Sequence, residues 1–157
     1  MLHLIPPPLH RAALRLAHGL RKRWWRVRKP RLQGCRVLAI DEAGRVLLIR
    51  HSYGSGQWMP PGGGVRRGEA PVAAAVRELR EETGCGIEAP AQVAMVVEAL
   101  HGAGNAVHVI AGRAHGTLKP DGREVIEAAF FALDTLPGDM PAGLRAQLPG
   151  WAADYRG

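Results

Sequence analysis

Four carboxylates, Glu69, Glu78, Glu81 and Glu82, fall within fourteen residues of a chain that is otherwise strongly basic. They lie in the stretch Gly63 to Cys85, GGVRRGEAPVAAAVRELREETGC. Pro71 near its start and Gly84 at its end bracket a helix of three to four turns, because Pro suits a first helical turn and Gly the position just past the last. At 3.6 residues per turn Glu78, Glu81 and Glu82 project from one face, and Val72, Ala75, Val76 and Leu79 form the opposite, apolar face. This acidic placement works against the helix. Glu78 and Glu82 are a like-charge i,i+4 pair costing roughly 0.2–0.5 kcal/mol, and Glu81 and Glu82 sit in the last turn, where the macrodipole disfavours negative charge. Arg77 and Arg80 offset part of this, although Arg80 points away from the acidic face. Two readings stand side by side. One is a solvated charged face. The other is a seat for a hard divalent cation such as Mg²⁺, which takes carboxylate oxygens together with waters and substrate phosphates.

Just before this helix runs Trp58-Met59-Pro60-Pro61-Gly62-Gly63-Gly64. The prolines make a stiff approach, and the glycines leave a backbone that can turn sharply or come close to another group. Taken together, these residues resemble the Nudix family, whose box reads G-x5-E-x7-R-E-U-x-E-E-x-G-U with U a bulky aliphatic. Gly63, Glu69, Arg77, Glu78, Leu79, Glu81, Glu82 and Gly84 all match at the required spacing. The one departure is Cys85 at the last position, a small, commonly buried residue that can serve as a packing side chain.

The resemblance covers roughly Gln33 to Pro137. It implies an α/β fold, a mixed β-sheet sandwiched between helices (α/β/α), with the box as a loop-helix-loop. It also implies hydrolysis of a nucleoside diphosphate linked to another moiety. A pyrophosphate repels a hydroxide-like nucleophile, and divalent metals both neutralise that charge and acidify bound water. Carried over residue by residue, Glu78, Glu81 and Glu82 would bind Mg²⁺ or Mn²⁺. Glu78 would also be the leading general base, oriented by Arg77. Glu69 would hold the loop to the helix or join the metal shell through water. Gly62, Gly63 and Gly64 would let the backbone approach metal and phosphates. A carboxylate outside the box completes the site in many such proteins; Glu124 and Glu127 are the candidates here, with Glu98 behind them. Subgroup markers for ADP-ribose, dinucleoside polyphosphates and coenzyme A are missing around Leu100 to Gly102, near Ala103 and over Leu48 to Gly62. Within the resemblance these absences point toward a nucleoside triphosphate or another NDP-X compound, and they do not exclude the other subgroups.

The whole chain, 157 residues, has the length of one domain with a real core. Two cysteines, Cys35 and Cys85, imply no disulfide framework and a reducing, cytoplasmic setting. No apolar run approaches the ~18–20 residues that cross a bilayer. The net charge of +7 is concentrated early: no Asp or Glu precedes Asp41, and Arg11 to Arg31 holds the main cluster of Arg and Lys. Residues 1–32 therefore read as a basic extension and 33–157 as the catalytic domain. After a Pro triplet, residues 10–28 have a helical pattern with Leu14, Leu16, Ala17, Leu20, Trp24 and Trp25 among basic residues. Such a helix can lie on an anionic membrane, grip nucleic-acid phosphates or serve as a transit peptide. The plainest reading is that it rests its Leu and Trp face on the domain or on a homodimer partner and leaves its arginines in water.

Within the domain, Cys35 to Ile40 and Arg45 to Arg50 read as a hairpin around the turn Asp41 to Gly44. His51 to Gln57 reads as a polar loop flanking the substrate cleft, with Arg50 and His51 placed to meet phosphate and Tyr53 or Trp58 to stack on a base. Pro90 is expected to break the chain, and Ala91 to Leu100 to pair with Ala106 to Ala114. His101, His108 and His115 follow no zinc-ligand pattern. Residues 116–123 read as a loop, 128–133 as a strand, 141–149 as a short helix and 151–157 as a tail. A rival to the hydrolase reading is a catalytically weak domain kept as a binding module, tethered to nucleic acid or membrane by residues 10–31. The complete set of box glutamates favours catalysis.

Overall fold

The computed structural model describes residues 13, 14, 17, 32–100 and 103–157. The basic helix expected over residues 10–28 therefore lies outside the described residues, apart from Ala13, Leu14 and Ala17. His101 lies outside them as well. The described chain runs β1 (Leu32–Ile40), β2 (Val46–His51), β3 (Gly62–Gly64), α1 (Pro71–Thr83), β4 (Gly86–Leu100), β5 (Ala103–His115), β6 (Val125–Phe131) and α2 (Ala142–Asp154).

The strands form one six-stranded sheet in the order β4-β5-β1-β2-β6, with β3 paired to β1. β1 and β5 run parallel from Leu32↔Asn105 to Ile40↔Arg113, and the other pairings are antiparallel, so the sheet is mixed. β1 divides its other edge between two partners. Its end meets β2 at Ile40↔Val46, and its first half meets β3 at Gly34↔Gly64 through Arg36↔Gly62. The Met59-to-Gly64 segment is wedged between them: Met59 bridges Ile49, and the Pro61 carbonyl accepts the Val37 N–H at 2.8 Å. Two prolines suit this wedge, since each can accept from a neighbouring strand but has no N–H to donate. The turn from β1 to β2 is closed by Asp41, whose Oδ1 accepts the N–H groups of Ala43 and Arg45 at 3.0 and 2.9 Å.

Alternation along the strands divides the core between the two faces of the sheet. Cys35, Val37 and Ala39 of β1 join Leu47 and Ile110 under Ala74, Ala75 and Leu79 of α1. Leu38 joins Leu48, Val109 and Ala111 under Leu144, Leu148 and Trp151 of α2. This is the sandwich that the resemblance implied. Cys85 is 2% exposed within the α1-side core and, like Cys35, is a free thiol, so it fills the aliphatic position of the box as a packing residue.

Three local expectations are corrected. Pro90 does not break the chain: β4 runs through it by a bulge, with the register shifting between Glu88 and Ala91. Ala89 takes a positive φ of 47° there, a conformation unfavourable for a residue with a Cβ, and the Tyr155 hydroxyl donates to its carbonyl at 2.9 Å. Residues 151–154 are not a tail but the last turn of α2, which continues past Pro149. Leu144, Leu148 and Trp151 lie at i, i+4 and i+7 and are all buried, so burial outweighs the hydrogen bond that Pro149 forfeits. On α1, Val76 is 37% exposed and Ala74 is buried in its place. No helix among the described residues is long and apolar enough to cross a membrane.

Trp151 anchors α2, so Trp151→Ala should lower stability by about 3–5 kcal/mol, read as a fall in the urea midpoint. An unchanged midpoint would mean that the last turn of α2 contributes nothing to the core.

Candidate active site

α1 begins at Pro71 in the first turn with Ala70 before it and no side-chain cap, and it ends on Gly84 in the left-handed conformation, whose N–H reaches the Arg80 carbonyl at 3.0 Å. Along this helix the sheet-facing positions are Ala74, Ala75, Leu79, Glu82 and Thr83. The acidic residues therefore do not share one wet face. Glu82 falls at the end of the core stripe and is only 7% exposed, whereas Glu81 is exposed and Glu78 half-buried. Reading Glu82 as a surface carboxylate is thus overturned, because the apolar stripe of α1 is phased so that its final turn carries Glu82 over the glycine segment.

A charged oxygen so buried needs partners. One Glu82 oxygen accepts the Gly62 N–H at 2.9 Å, and the other lies 3.6 Å from His51 Nε2. Burial still pushes the Glu82 carboxyl up to about 8; the Gly62 N–H pulls the other way, and the negative charges of Glu78, Glu124 and Asp121 add to the rise. Gly62 can come this close only without a side chain. Its φ is 153°, and a Cβ would stand 2.2 Å from the Cys35 carbonyl oxygen. At Gly63 a Cβ would stand 2.5 Å from the Glu78 carboxyl carbon.

Arg77 ties the approach loop to the helix. Its Nε and Nη2 donate to the two oxygens of Glu69 at 2.8 and 2.9 Å, its Nη1 to Glu78 at 2.7 Å, and Nη2 also reaches the Gly64 carbonyl at 3.1 Å. The Arg77 fork, with the Arg66 N–H behind it, holds the Glu69 carboxyl down at about 2. Glu69 thus acts as a brace, both oxygens engaged. Glu81 lies at the rim, 3.5 Å from Arg77 Nη1.

The remaining candidates spread around the end of β2. Arg50 lies between the carboxylates of Glu127 and Asp139 and 5.0 Å over the Trp58 ring, which meets Phe131 edge-on at 4.9 Å. His51 and Tyr53 lie ring against ring at 5.0 Å. Glu127 faces Arg50, whereas Glu124, one position before β6, is among the charges acting on Glu82. Glu98 is drawn to Arg36 at 3.0 Å, on the α2 side of the sheet. Of the histidines, His108 meets Gln92 at 3.0 Å and His115 is exposed on Gly86. Two residues escaped the sequence reading. Asp121 closes the turn before β6 by accepting three N–H groups, from Arg123, Glu124 and Val125, and its signal was the Asp-Gly pair at 121–122. Asp139 carried no signal, since only the fold brings it to Arg50.

Among the described residues, no three His, Cys, Asp or Glu side chains stand ready as a metal cage. The chemistry of the donor set nonetheless fits a hard divalent cation. Its carboxylates offer oxygen ligands of one sign, one of them buried, whose ionised form a cation would favour.

The sequence pattern of the NUDIX domain matches residues 30–153. An RNA pyrophosphohydrolase of Halorhodospira halophila is 43% identical over 60 residues, 38% of this chain and 31% of that protein. The NAD-capped RNA hydrolase NudC of Vibrio atlanticus is 29% identical over 119 residues, 75% of this chain and 44% of that protein. The chain thus spans less than half the length of these relatives. The crystal structure of a MutT NUDIX hydrolase from Burkholderia pseudomallei superposes with a TM-score of 0.68 at 28% identity, over 76% of this chain and 97% of that one.

Two outcomes follow from Glu82 and Gly62. Because burial raises the Glu82 carboxyl from its ordinary 4.5 to about 8 in the fold, stability is full below about pH 4.5, falls as pH rises from there to about 8, and levels off above it. The chelated protein should melt lower at pH 8.5 than at pH 5.5. Glu82→Gln should flatten that fall, and Mg²⁺ should raise the melting temperature more at the higher pH; an identical fall in both proteins would rule out Glu82 as its source. Gly62→Ala should cost about 1–3 kcal/mol by urea titration, and no loss would mean that the Cys35 carbonyl yields freely.

Proposed function

The chain belongs to the NUDIX domain family, and from that premise we propose that it hydrolyses a pyrophosphate bond in a nucleoside diphosphate linked to another moiety, or in a nucleoside triphosphate. The observation that carries this reading is the pairing of buried Glu82 with the Gly62 N–H beside Glu78, a carboxyl that burial keeps protonated and that a divalent ion would let ionise. Glu78, Glu81 and Glu82 are the residues proposed to hold Mg²⁺ or Mn²⁺, with Glu124 ahead of Glu127 as the carboxylate from outside the box. When bound, the cation would offset the charge of the pyrophosphate and acidify a water.

The protein's own part is positioning and proton transfer. Arg77 engages Glu78 Oε1, leaving Oε2 to take a proton from the attacking water. The water oxygen forms the new P–O bond as the bridging P–O bond breaks and the pair leaves with the departing phosphate. Glu69 keeps Arg77 in place. Arg50, Tyr53 and Trp58 are proposed to receive the nucleotide at the mouth, and His51 to steady Glu82 there.

The two curated relatives are both named for RNA substrates. The basic stretch Arg11 to Arg31 joins the domain directly at Leu32. Together these support an RNA 5′ end as the nucleotide part of the substrate, with the basic residues meeting phosphates further along the strand.

A panel of nucleoside triphosphates, dinucleotides and 5′-triphosphorylated oligoribonucleotides, assayed with Mg²⁺ for release of phosphate or pyrophosphate, tests both levels. Hydrolysis should appear in at least one class, and Glu78→Gln should lower kcat by about 10²–10⁴-fold with little change in KM. A salt-sensitive preference for the oligoribonucleotide supports the RNA reading, and equal turnover of free nucleotides contradicts it. No turnover anywhere, with tight salt-sensitive RNA or vesicle binding, would replace hydrolysis by a binding module.

A further inference from the structure

The hairpin of β4 and β5 has two unlike faces where it extends beyond the helices. On the α2 side, Glu98 of β4 forms an ion pair with Arg36 of β1 at 3.0 Å, a polar finish suited to water. On the α1 side the same strand presents Met95 at 57% and Val97 at 76% exposure. Their register partners are His108 and Ala106, on the face that holds Cys35 and Ile110 of the α1-side core. A helix is about 10–12 Å across, whereas a sheet of this order is over 20 Å wide at about 4.8 Å per strand. α1 alone cannot cover it. β4 is also an edge strand, and the described part of its outer half carries no Lys or Arg to discourage contact.

The chain outside the described residues meets the fold at this spot. Leu32 pairs with Asn105, and Gln33 pairs with Ala106, which itself pairs with Val97. The point where residues 1–31 join the domain is therefore two strand spacings, about 10 Å, from Val97. Lys29, Pro30 and Arg31 can span about that distance, and Pro30 prevents a helix from running on into β1. Upstream, Ala13, Leu16, Ala17, Leu20, Trp24 and Val27 recur at i, i+3, i+4, i+7, i+11 and i+14, one stripe of a helix, while Arg11, Arg15, Lys22 and Arg26 take the opposite face. Ala13 and Ala17, at the far end of that stripe, are helical and exposed. The half nearest Leu32 holds the large side chains.

We propose that the segment ending at Arg28 folds back across the α1 side of the sheet, so that Leu20, Trp24 and Val27 cover Met95 and Val97 and complete the layer that α1 begins. Its arginines then point outward, giving the domain a basic ridge next to the box helix. This docking is independent of the reaction assigned above.

The test uses the whole 157-residue chain. Trypsin cleavage within residues 11–31 and the emission of Trp24 and Trp25, isolated by difference against a Trp24→Phe/Trp25→Phe variant, report whether the segment is held. The wild type should be cleaved about 10-fold or more slowly than a free peptide of residues 1–31, with blue-shifted emission. Met95→Asp/Val97→Asp should abolish both effects, and so should Leu20→Asp from the other side of the contact. Ile126→Asp, at a 40% exposed position on β6 at the far edge of the sheet, should preserve them. Cleavage at the peptide rate in the wild type, or protection that survives Met95→Asp/Val97→Asp, would overturn the proposal. So would protection lost on dilution, which would assign the face to a second copy of the chain.

Discussion

A carboxylate buried against a single backbone N–H is the constraint on which this site turns. Glu82 lies at the end of the apolar stripe of α1 and is only 7% exposed. Gly62 supplies the N–H, and it can do so only because β1 leaves β2 early enough for the Pro60-Pro61 wedge to enter between them. The split edge of β1 and the positive φ of Gly62 both belong to that approach. Desolvation of Glu82 is unfavourable in isolation, and the Gly62 N–H offsets only part of it.

Arg77 performs the complementary task. By spanning Glu69, Glu78 and the Gly64 carbonyl, it joins the approach loop, the start of the acidic region and the helix into one rigid unit. A bidentate guanidinium–carboxylate pair fixes orientation as well as distance. Glu78 is thereby presented with one oxygen engaged and the other available, the arrangement that a proton acceptor needs. Three box glutamates that look alike in sequence hold different positions: Glu69 with both oxygens on Arg77, Glu78 with one oxygen on Arg77, and Glu82 buried against Gly62.

Much of this was legible in the residues. The bounds of α1 were written by Pro71 and Gly84, the first hairpin by its apolar runs and the Asp41 turn, and the family by the spacing of the box. Burial was harder to read. Helical periodicity places Glu82 one step from the apolar stripe, and only the sheet beneath shows which side of that boundary it takes. Pro90 and Pro149 misled for the same reason: local rules end an element at proline, but tertiary contacts at Tyr155 and Trp151 carry the strand and the helix through. A residue that acts through long-range pairing, such as Asp139 at Arg50, leaves almost no local trace, whereas the Asp-Gly pair at 121–122 marked the turn of Asp121 but not its nearness to Glu82.

The central claim is that Glu82 and Glu78 border a cation, and manganese makes that visible. Crystals soaked in Mn²⁺ and measured at its absorption edge should show an anomalous peak about 2.1 Å from a Glu82 carboxylate oxygen, with Glu78 turned toward it. A peak lying elsewhere, or none at all while both carboxylates stay as they are, would contradict the account.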